Sequence, residues 1–295
     1  MNNAALKFEV KGIDSGKTVE NICRRKLNIS AKLFKVLKLN GKLRINGEVC
    51  RSIDVVREND VLTVDVTENE SSLNIVPVEM ELDIIYEDEY LLVVNKPRNM
   101  SVHPSIGNFD NTLANGVVWH WNENGEMHKF HAVNRIDKDT SGICVIAKNQ
   151  FSHGVLSEQI KNGGFVRKYK AIIHGKLEPL CGMIDKPIAR ECESVIKRVV
   201  SENGKIAVTE YKTLHQCGKY SMVEVFLHTG RTHQIRVHFS HMGHPLVGDW
   251  LYGNGDEERD VAKGHLLHAY YASFVHPYSG EKMIFDLPVP WDMQL

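Results

Sequence analysis

Apolar residues in this chain are gathered in short unbroken runs, and this constrains its architecture more than any other feature. Leu82-Asp83-Ile84-Ile85-Tyr86, Leu91-Leu92-Val93-Val94-Asn95 and Ile143-Cys144-Val145-Ile146-Ala147 are too short for typical helices and carry the β-branched residues that strands favour. Glu87-Asp88-Glu89 predicts a tight turn between the first two, and Lys96-Pro97 stops the second. Residues 168–174 and 222–227 also read as strands, and 151–161 as a helix. Strands and helices mix without the regular βαβ alternation of a doubly wound fold. Neither G-x-G-x-x-G nor Gly-x4-Gly-Lys occurs, which removes dinucleotide and nucleoside-triphosphate readings. The expected class is α+β. At 295 residues the chain has room for a large domain and an appended module. The polar stretch Glu68-Asn69-Glu70-Ser71-Ser72 has no apolar period. We therefore expect a domain over 1–70, a linker over 71–78 and a second domain over 79–295.

Net charge is only −1, but its distribution is uneven. Residues 17–51 carry ten Lys/Arg against Glu20 and Glu48, whereas residues 52–89 carry twelve Asp/Glu against Arg57 alone. A dense basic stretch is the footprint expected of a nucleic-acid contact, and from charge alone a solvated helix face balanced by the acidic block explains it equally well. Periodicity narrows the choice. Thr18 is placed to cap a helix carrying Val19, Ile22 and Cys23. Ser30 is placed to cap a second, whose Leu33, Phe34 and Leu37 recur at helical spacing while Lys32, Lys35 and Lys38 point elsewhere. Leu43 and Ile45 then alternate with polar residues into Asn46-Gly47, a strong hairpin signal. A further strand pair is expected over 53–56 and 61–66. The basic second helix, the strand over 42–46 and the Asn46-Gly47 turn resemble the small RNA-binding domain first described in ribosomal protein S-four. That resemblance covers about residues 12–68 and implies RNA contacts by Arg24, Arg25, Lys32, Lys35 and Lys38.

No apolar run reaches the roughly 18 residues of a membrane span, and the first residues lack the apolar stretch of a signal peptide. The expected location is the cytoplasm, with no membrane partner. The six cysteines, at 23, 50, 144, 181, 192 and 217, form no Cys-x-x-Cys pair and are expected to be small buried residues. His228, His233, His238, His241 and His244 suggest a metal site, but the run is interleaved with Arg231, Gln234 and Arg236, which suit anions better. We expect no metal.

Val133-Asn134-Arg135-Ile136-Asp137-Lys138-Asp139-Thr140-Ser141-Gly142 leads into the 143–147 strand. A loop feeding a strand can turn Arg135 and Asp137 towards a substrate while Ile136 anchors it in the core. On spacing alone, Asp137 and Thr140 could equally serve to satisfy loop amides.

A second stretch changes the balance: His228-Thr229-Gly230-Arg231-Thr232-His233-Gln234-Ile235-Arg236-Val237-His238, followed by Gly243-His244-Pro245-Leu246-Val247-Gly248-Asp249-Trp250-Leu251-Tyr252-Gly253. With the 133–142 loop it resembles the RluA-type family of RNA pseudouridine synthases. That family pairs a His-Arg-Leu-Asp-x-x-Thr-Ser-Gly loop with a Thr-Gly-Arg-x-His-Gln-Ile-Arg-x-His segment. The match continues through Asn95-Lys96-Pro97, Met100-Ser101-Val102-His103-Pro104, Lys168-Tyr169 and Leu267-His268-Ala269, so that residues 80–293 are covered. Many members also carry an N-terminal domain of the S-four kind.

The resemblance implies a long mixed, mostly antiparallel sheet with flanking helices, the pseudouridine synthase fold. It implies Asp137 as the catalytic aspartate and Tyr169 as the tyrosine that stacks on the target base. It implies Arg236 as the arginine paired with the catalytic carboxylate and Arg135 as the residue that enters the RNA stack. Arg231, His233 and Gln234 fit phosphate-binding or loop-organising roles. Asn134 stands where the family has His, and Arg98-Asn99 where it has a small residue and Gly. The first change should alter loop hydrogen bonding rather than chemistry, and Asn99 suits a positive φ.

Isomerising uridine to pseudouridine moves a bond from ring nitrogen to carbon 5 with no net redox change, so the implied chemistry needs no cofactor. A carboxylate can act as nucleophile or base in it, and the sequence does not choose between attack on the sugar, attack on the ring and abstraction of a sugar proton. The target must leave its stack, at a cost of a few kcal/mol; Arg135 in the vacated space and Tyr169 on the base would offset part of it. Residues 90–295 carry 23 Lys/Arg against 21 Asp/Glu, so the basic 17–51 block should supply much of the RNA affinity. The implied partner is RNA, ribosomal RNA or a ribosomal subunit precursor first, with transfer or messenger RNA as competitors and no obligate protein partner. Two other classes remain open at this stage: an RNA-binding protein without catalysis, and a metal-dependent hydrolase built on the histidines.

Overall fold

The computed structural model describes residues 4–67, 74–253, 257–258 and 262–294. Among these residues the chain forms two principal sheets. The first is built from β1 (Ala5–Glu9), β2 (Leu43–Ile45), β3 (Glu48–Val49) and β4 (Val61–Asp65). Its order is β1-β4-β2-β3, with every pair antiparallel. Two helices cross over from β1 to β2, α1 (Val19–Arg25) and α2 (Ala31–Leu39). Thr18 and Ser30 cap them as their positions predict, each side chain accepting from the backbone N–H three residues on. Val19, Ile22 and Cys23 face inward from α1, and Leu33, Phe34 and Leu37 from α2. Asn46 and Gly47 both adopt positive φ, 52° and 90°, as a two-residue hairpin turn requires.

The strand expected over 53–56 is absent: only Val55 makes a bridge, to Thr18. Backbone carbonyls of this segment are used elsewhere, Asp54 accepting from Val19 N and Ser52 from Glu20 N. Those are the first, otherwise orphaned donors of α1, so the segment braces a helix end instead of extending a sheet.

The second sheet begins with β5 (Ile84–Glu87) and β6 (Leu91–Lys96), followed by α3 (Leu113–Glu123), β7 (His131–Ala132), β8 (Ser141–Ala147) and α4 (Gln150–Lys161). Next come β9 (Val166–His174), β10 (Cys181–Asp185), a separate hairpin of β11 (Ile188–Arg190) and β12 (Arg198–Val200), then β13 (Val208–Cys217) and β14 (Tyr220–Leu227). The last elements are α5 (Gln234–His241), β15 (Leu267–Val275) and β16 (Lys282–Asp286). The order is β10-β13-β14-β9-β15-β8-β6-β5, with β16 on β15 and β7 on β8. Neighbours are antiparallel except for β15 and β8, which run parallel. The sheet is therefore long, mixed and mostly antiparallel.

Both faces of this sheet are covered, and side chains along each strand alternate between them. Leu91 and Val93 of β6 join Phe151 and Leu156 of α4 in one cluster. Leu92 and Val94 join Leu113 and Val117 of α3 and Ile235 and Phe239 of α5 in the other. Each such residue contributes about 1.5–3 kcal/mol when fully buried. The second cluster also holds Ile136, Tyr169 and Leu267, so the candidate residues open on the α3/α5 side.

The expectation for the cysteines is modified. Cys23 and Cys144 are buried, but Cys181, Cys192 and Cys217 are exposed, because they lie at the start of an edge strand, in a hairpin loop and at a strand end. Of the linker expected over 71–78, residues 71–73 lie outside the described residues, while at 76–78 Asn115 Nδ2 of α3 donates to the Val76 carbonyl at 2.7 Å and the Asn115 carbonyl accepts from Val78 N at 3.2 Å. The histidine run does not converge. His228 meets Glu210, His238 is held by Thr209 and the Lys186 carbonyl, and His244 meets the His174 carbonyl. Among the described residues no helix is long and apolar enough to cross a membrane.

Candidate active site

The loop before β8 is held from both sides. Asn134 is buried, and its amide lies against β8 as a strand neighbour would: Nδ2 donates to the Ile143 carbonyl at 2.9 Å and Oδ1 accepts from Val145 N at 2.8 Å. Thr140 bonds His265 and Ser141 bonds His268, both at 2.8 Å, which ties the loop's end to the approach and start of β15. Gly142 has φ 109°, and a Cβ there would lie 2.3 Å from the Ala269 carbonyl oxygen. The Thr-Ser-Gly sequence is thus two side-chain ties followed by a backbone contact that admits no side chain.

Lys96 closes the loop's other flank. Its fully buried ammonium donates to the carbonyls of Pro97 at 2.7 Å, Met100 at 2.7 Å and Lys138 at 3.1 Å. Burial pulls its pKa down to about 8. The departure at Arg98-Asn99 is absorbed locally: Asn99 takes φ 59°, and Arg98 pairs with Asp292.

Within this frame Asp137 presents its carboxylate to a cleft lined by Arg135, Ile136, Tyr169, Leu227, Arg231, His233, Gln234 and Arg236. Tyr169 comes from β9 and Arg236 from α5, a helix that the sequence did not reveal. Residue 233, immediately before α5, is left-handed (φ 57°) and makes no side-chain cap. Gln234 ties the loop before α5 to β13: Oε1 accepts from Arg231 N at 2.9 Å and Thr229 Oγ1 at 2.8 Å, while Nε2 donates to the Val208 carbonyl at 3.0 Å and Thr209 Oγ1 at 2.9 Å. The Gln234 amide is fully occupied within the protein. Ile235 and Phe239 then face the core, and Arg236 faces the cleft.

Arg236 Nη1 donates to Asp137 Oδ2 at 3.2 Å. Its other edge is bonded to Asp249, Nε to Oδ2 at 2.7 Å and Nη2 to Oδ1 at 2.8 Å. Burial opposes a charged guanidinium, but these carboxylates outweigh it and raise the Arg236 pKa further. The Tyr252 ring lies 5.0 Å from Arg236 Cζ, and its hydroxyl meets His233 Nδ1 at 2.8 Å. His233 Nε2 lies 3.9 Å from Asp137 Oδ2, and burial lowers the His233 pKa, favouring a neutral ring. Burial also raises the Tyr169 phenol, keeping it protonated at the cleft wall.

Arg135 and Arg231 are exposed at this cleft, and Arg231 Nε donates to the Ile206 carbonyl at 2.8 Å. Arg24 and Arg25 line a separate depression with Thr18, Glu20 and Asn21, while Lys32, Lys35 and Lys38 stand exposed on α2. Sequence reasoning passed over Asp249, Tyr252 and His265. Asp249 and Tyr252 fall within the quoted family stretch, but no local pattern marks them as neighbours of Arg236.

A model of the RNA pseudouridylate synthase family matches residues 90–241. A Bacillus subtilis protein named uncharacterized RNA pseudouridine synthase YjbO is 41% identical over 268 residues, covering 90% of this chain and 94% of its own. A Zymomonas mobilis protein named ribosomal large subunit pseudouridine synthase D is 40% identical over 252 residues, covering 81% of this chain and 79% of its own. A solved structure, human RNA pseudouridylate synthase domain containing 1, superposes with a TM-score of 0.59 at 27% identity, covering 72% of this chain and 84% of that one. With its mixed sheet, its aspartate cleft and these relatives, the chain belongs to the RNA pseudouridylate synthase family and is an isomerase that acts on RNA.

Proposed function

We propose that the chain converts uridine to pseudouridine in large-subunit ribosomal RNA, with Asp137 as the nucleophile. The observation that carries the reading is a carboxylate held at 3.2 Å by a buried guanidinium in a cleft walled by a buried tyrosine. A carboxylate is able to attack carbon or take a proton, and the bond from Arg236 holds this one at the cleft. Tyr169 offers an aromatic wall on which an extruded base stacks, worth about 1–3 kcal/mol. Arg135, exposed beside the cleft, fills the place the base vacates; Arg231 and His233 meet neighbouring phosphates. Reactant and product have the same atoms and oxidation state, so the chemistry draws on these side chains alone.

The ribosomal substrate rests on relatives such as the Zymomonas protein, named for the large ribosomal subunit, and on the basic helices near the N-terminus. We take residues 1–70 as an RNA-binding domain of the S-four kind, 71–78 as a linker and 79–295 as the catalytic domain. Arg24, Arg25, Lys32, Lys35 and Lys38 are its phosphate contacts, and the site of action is the cytoplasm.

Tritium release from ribosomal RNA labelled at uridine carbon 5 tests both parts. The wild-type protein should release tritium and Asp137→Asn should be slower by about 10³-fold or more, with RNA affinity nearly unchanged. Equal release by both removes Asp137 from its role. Release from transfer or messenger RNA, but not from ribosomal RNA or subunits, replaces the substrate and keeps the chemistry.

A further inference from the structure

We propose that a cavity between the end of the catalytic loop and the C-terminal segment seats an unpaired guanine of the RNA, at a place separate from the cleft that holds Asp137. The inference rests on RNA being the substrate and deepens that reading by naming a base recognised besides the target uridine.

The cavity has a volume of about 410 Å³, within the range of small-ligand sites. It is lined by Arg98 after β6, Ser141 and His268 of β8 and β15, and residues 288–292 after β16, and it shares no lining residue with the Asp137 cleft. Arg98 donates through Nη1 to Asp292 Oδ2, while its Nε and Nη2 are buried with no partner among the described residues. The second oxygen of Asp292, Oδ1, is buried and unpartnered too. His268 is wholly buried; its Nδ1 meets Ser141 Oγ at 2.8 Å, and its Nε2, towards the Pro288 carbonyl, makes no hydrogen bond. Buried polar atoms are almost always paired, so four orphans around one cavity mark a place that something else completes. Trp291 also lines the cavity and is 85% exposed, a flat apolar ring held out of the core.

Charge and hydrogen-bonding pattern identify the occupant. Arg98 and Asp292 offset each other, burial and then the Arg98 charge lower the His268 pKa to about 4, and Lys96 spends its ammonium on three carbonyls. A balanced pair suits a neutral group better than a phosphate or carboxylate. The free Nε–Nη2 edge offers two adjacent donors and so requires two adjacent acceptors, while Asp292 Oδ1 requires a donor. Guanine supplies both: O6 and N7 are the commonest specific partners of Arg on a base, and its N1–H and N2 amino group suit a carboxylate. Adenine presents one acceptor and one donor on the corresponding edge, and uracil separates its two oxygens by an N–H. Cytosine has the pattern but a smaller ring to lay on Trp291. Because the four orphaned atoms are shielded from water, the base enters as the 288–292 segment shifts outwards, and Trp291 closes on its face. Ser141 follows Asp137 by four residues, so a strand anchored here runs beside the catalytic loop.

Titration of the full chain with guanosine 5′-monophosphate tests the site. Nuclear magnetic resonance reads it from the Trp291 Nε1–H signal, identified by its loss in Trp291→Ala. Guanosine monophosphate should shift that signal saturably. The adenosine, cytidine and uridine monophosphates should bind at least about tenfold more weakly, as should 7-deazaguanosine monophosphate, which lacks the N7 acceptor of the bidentate contact. Asp137→Asn should respond as the wild type does, because Asp137 lies in the other cleft. Preference for another base, an equal shift by inorganic phosphate, or no shift at all overturns the proposal.

Tritium release at varied RNA concentration connects the site to the reaction. Trp291→Ala removes an exposed ring and should fold as the wild type does. It should raise KM by about 5- to 100-fold, the loss of one base–aromatic stack, with a smaller effect on kcat. An unchanged KM overturns the proposal. Absence of tritium release from ribosomal RNA by the wild type would remove that substrate, and the guanine site would still stand on its own titration. Release by the wild type without any response to guanosine monophosphate would remove the guanine site alone.

Discussion

Position 142 excludes a side chain for two separate reasons, and comparison with another glycine isolates them. Gly142 combines φ 109° with the Ala269 backbone, whose carbonyl oxygen would lie 2.3 Å from a Cβ. Gly163 also has positive φ, 78°, but nothing within 4 Å of where a Cβ would sit. Gly163→Ala should therefore cost only the backbone contribution, about 1 kcal/mol. Gly142→Ala must also part β8 from β15 and should cost at least about 3 kcal/mol. Urea midpoints of the two variants check this; equal losses would mean that the close approach to β15 carries no energy. The same loop shows how Asn134 serves at the position where the family resemblance implied His. A planar group with one donor and one acceptor suffices to bridge Ile143 and Val145, and the amide supplies both.

At the scale of one element, α2 separates two jobs by face. Leu33, Phe34 and Leu37 are buried, whereas Lys32, Lys35 and Lys38 are exposed. Replacing the three lysines by Ala keeps a strong helix former at every position and leaves the apolar stripe untouched. Stability should change little. If each lysine meets a phosphate, the slope of log affinity against log salt should fall by about 2–3, since each neutralised phosphate contributes roughly 0.7–0.9. Fluorescence anisotropy over a range of potassium chloride concentrations measures it, and an unchanged slope would take the RNA contact away from this face.

For the whole molecule, the buried histidines set how stability depends on acidity. His265 and His268 tie the approach and start of β15 to the catalytic loop, and burial lowers their pKa values to about 3 and about 4. An unfolded histidine titrates near 6.5. As pH falls through that value the unfolded chain takes up protons that the folded chain refuses, so unfolding becomes easier. Their contribution should be complete above pH 6.5 and decline progressively towards pH 4. Urea midpoints at pH 7, 5.5 and 4.5 should fall in that order, and His265→Gln should fall less steeply. A flat profile over this range would mean that both rings are protonated in the folded protein.

Patterns that act between near neighbours could be read from the order of residues alone. The caps at Thr18 and Ser30 each bond three residues ahead, the Asn46-Gly47 turn joins adjacent strands, and the apolar runs at 91–95 and 143–147 specify strands buried on both faces. The strand expected at 53–56 failed because its backbone was claimed by α1. α5 was invisible because its N-terminus is organised by Gln234 reaching to Val208 and Thr209, more than 20 residues back in the chain. The cleft depends still more on distance. Arg236 lies 99 residues from Asp137 and meets it only because α5 packs on the sheet that contains β8. The sequence determined which side chains were available, through local propensity and spacing. The tertiary structure alone decided that Asp249 would take one edge of Arg236 and Asp137 the other, because a guanidinium's direction is set by the packing of elements remote in the chain.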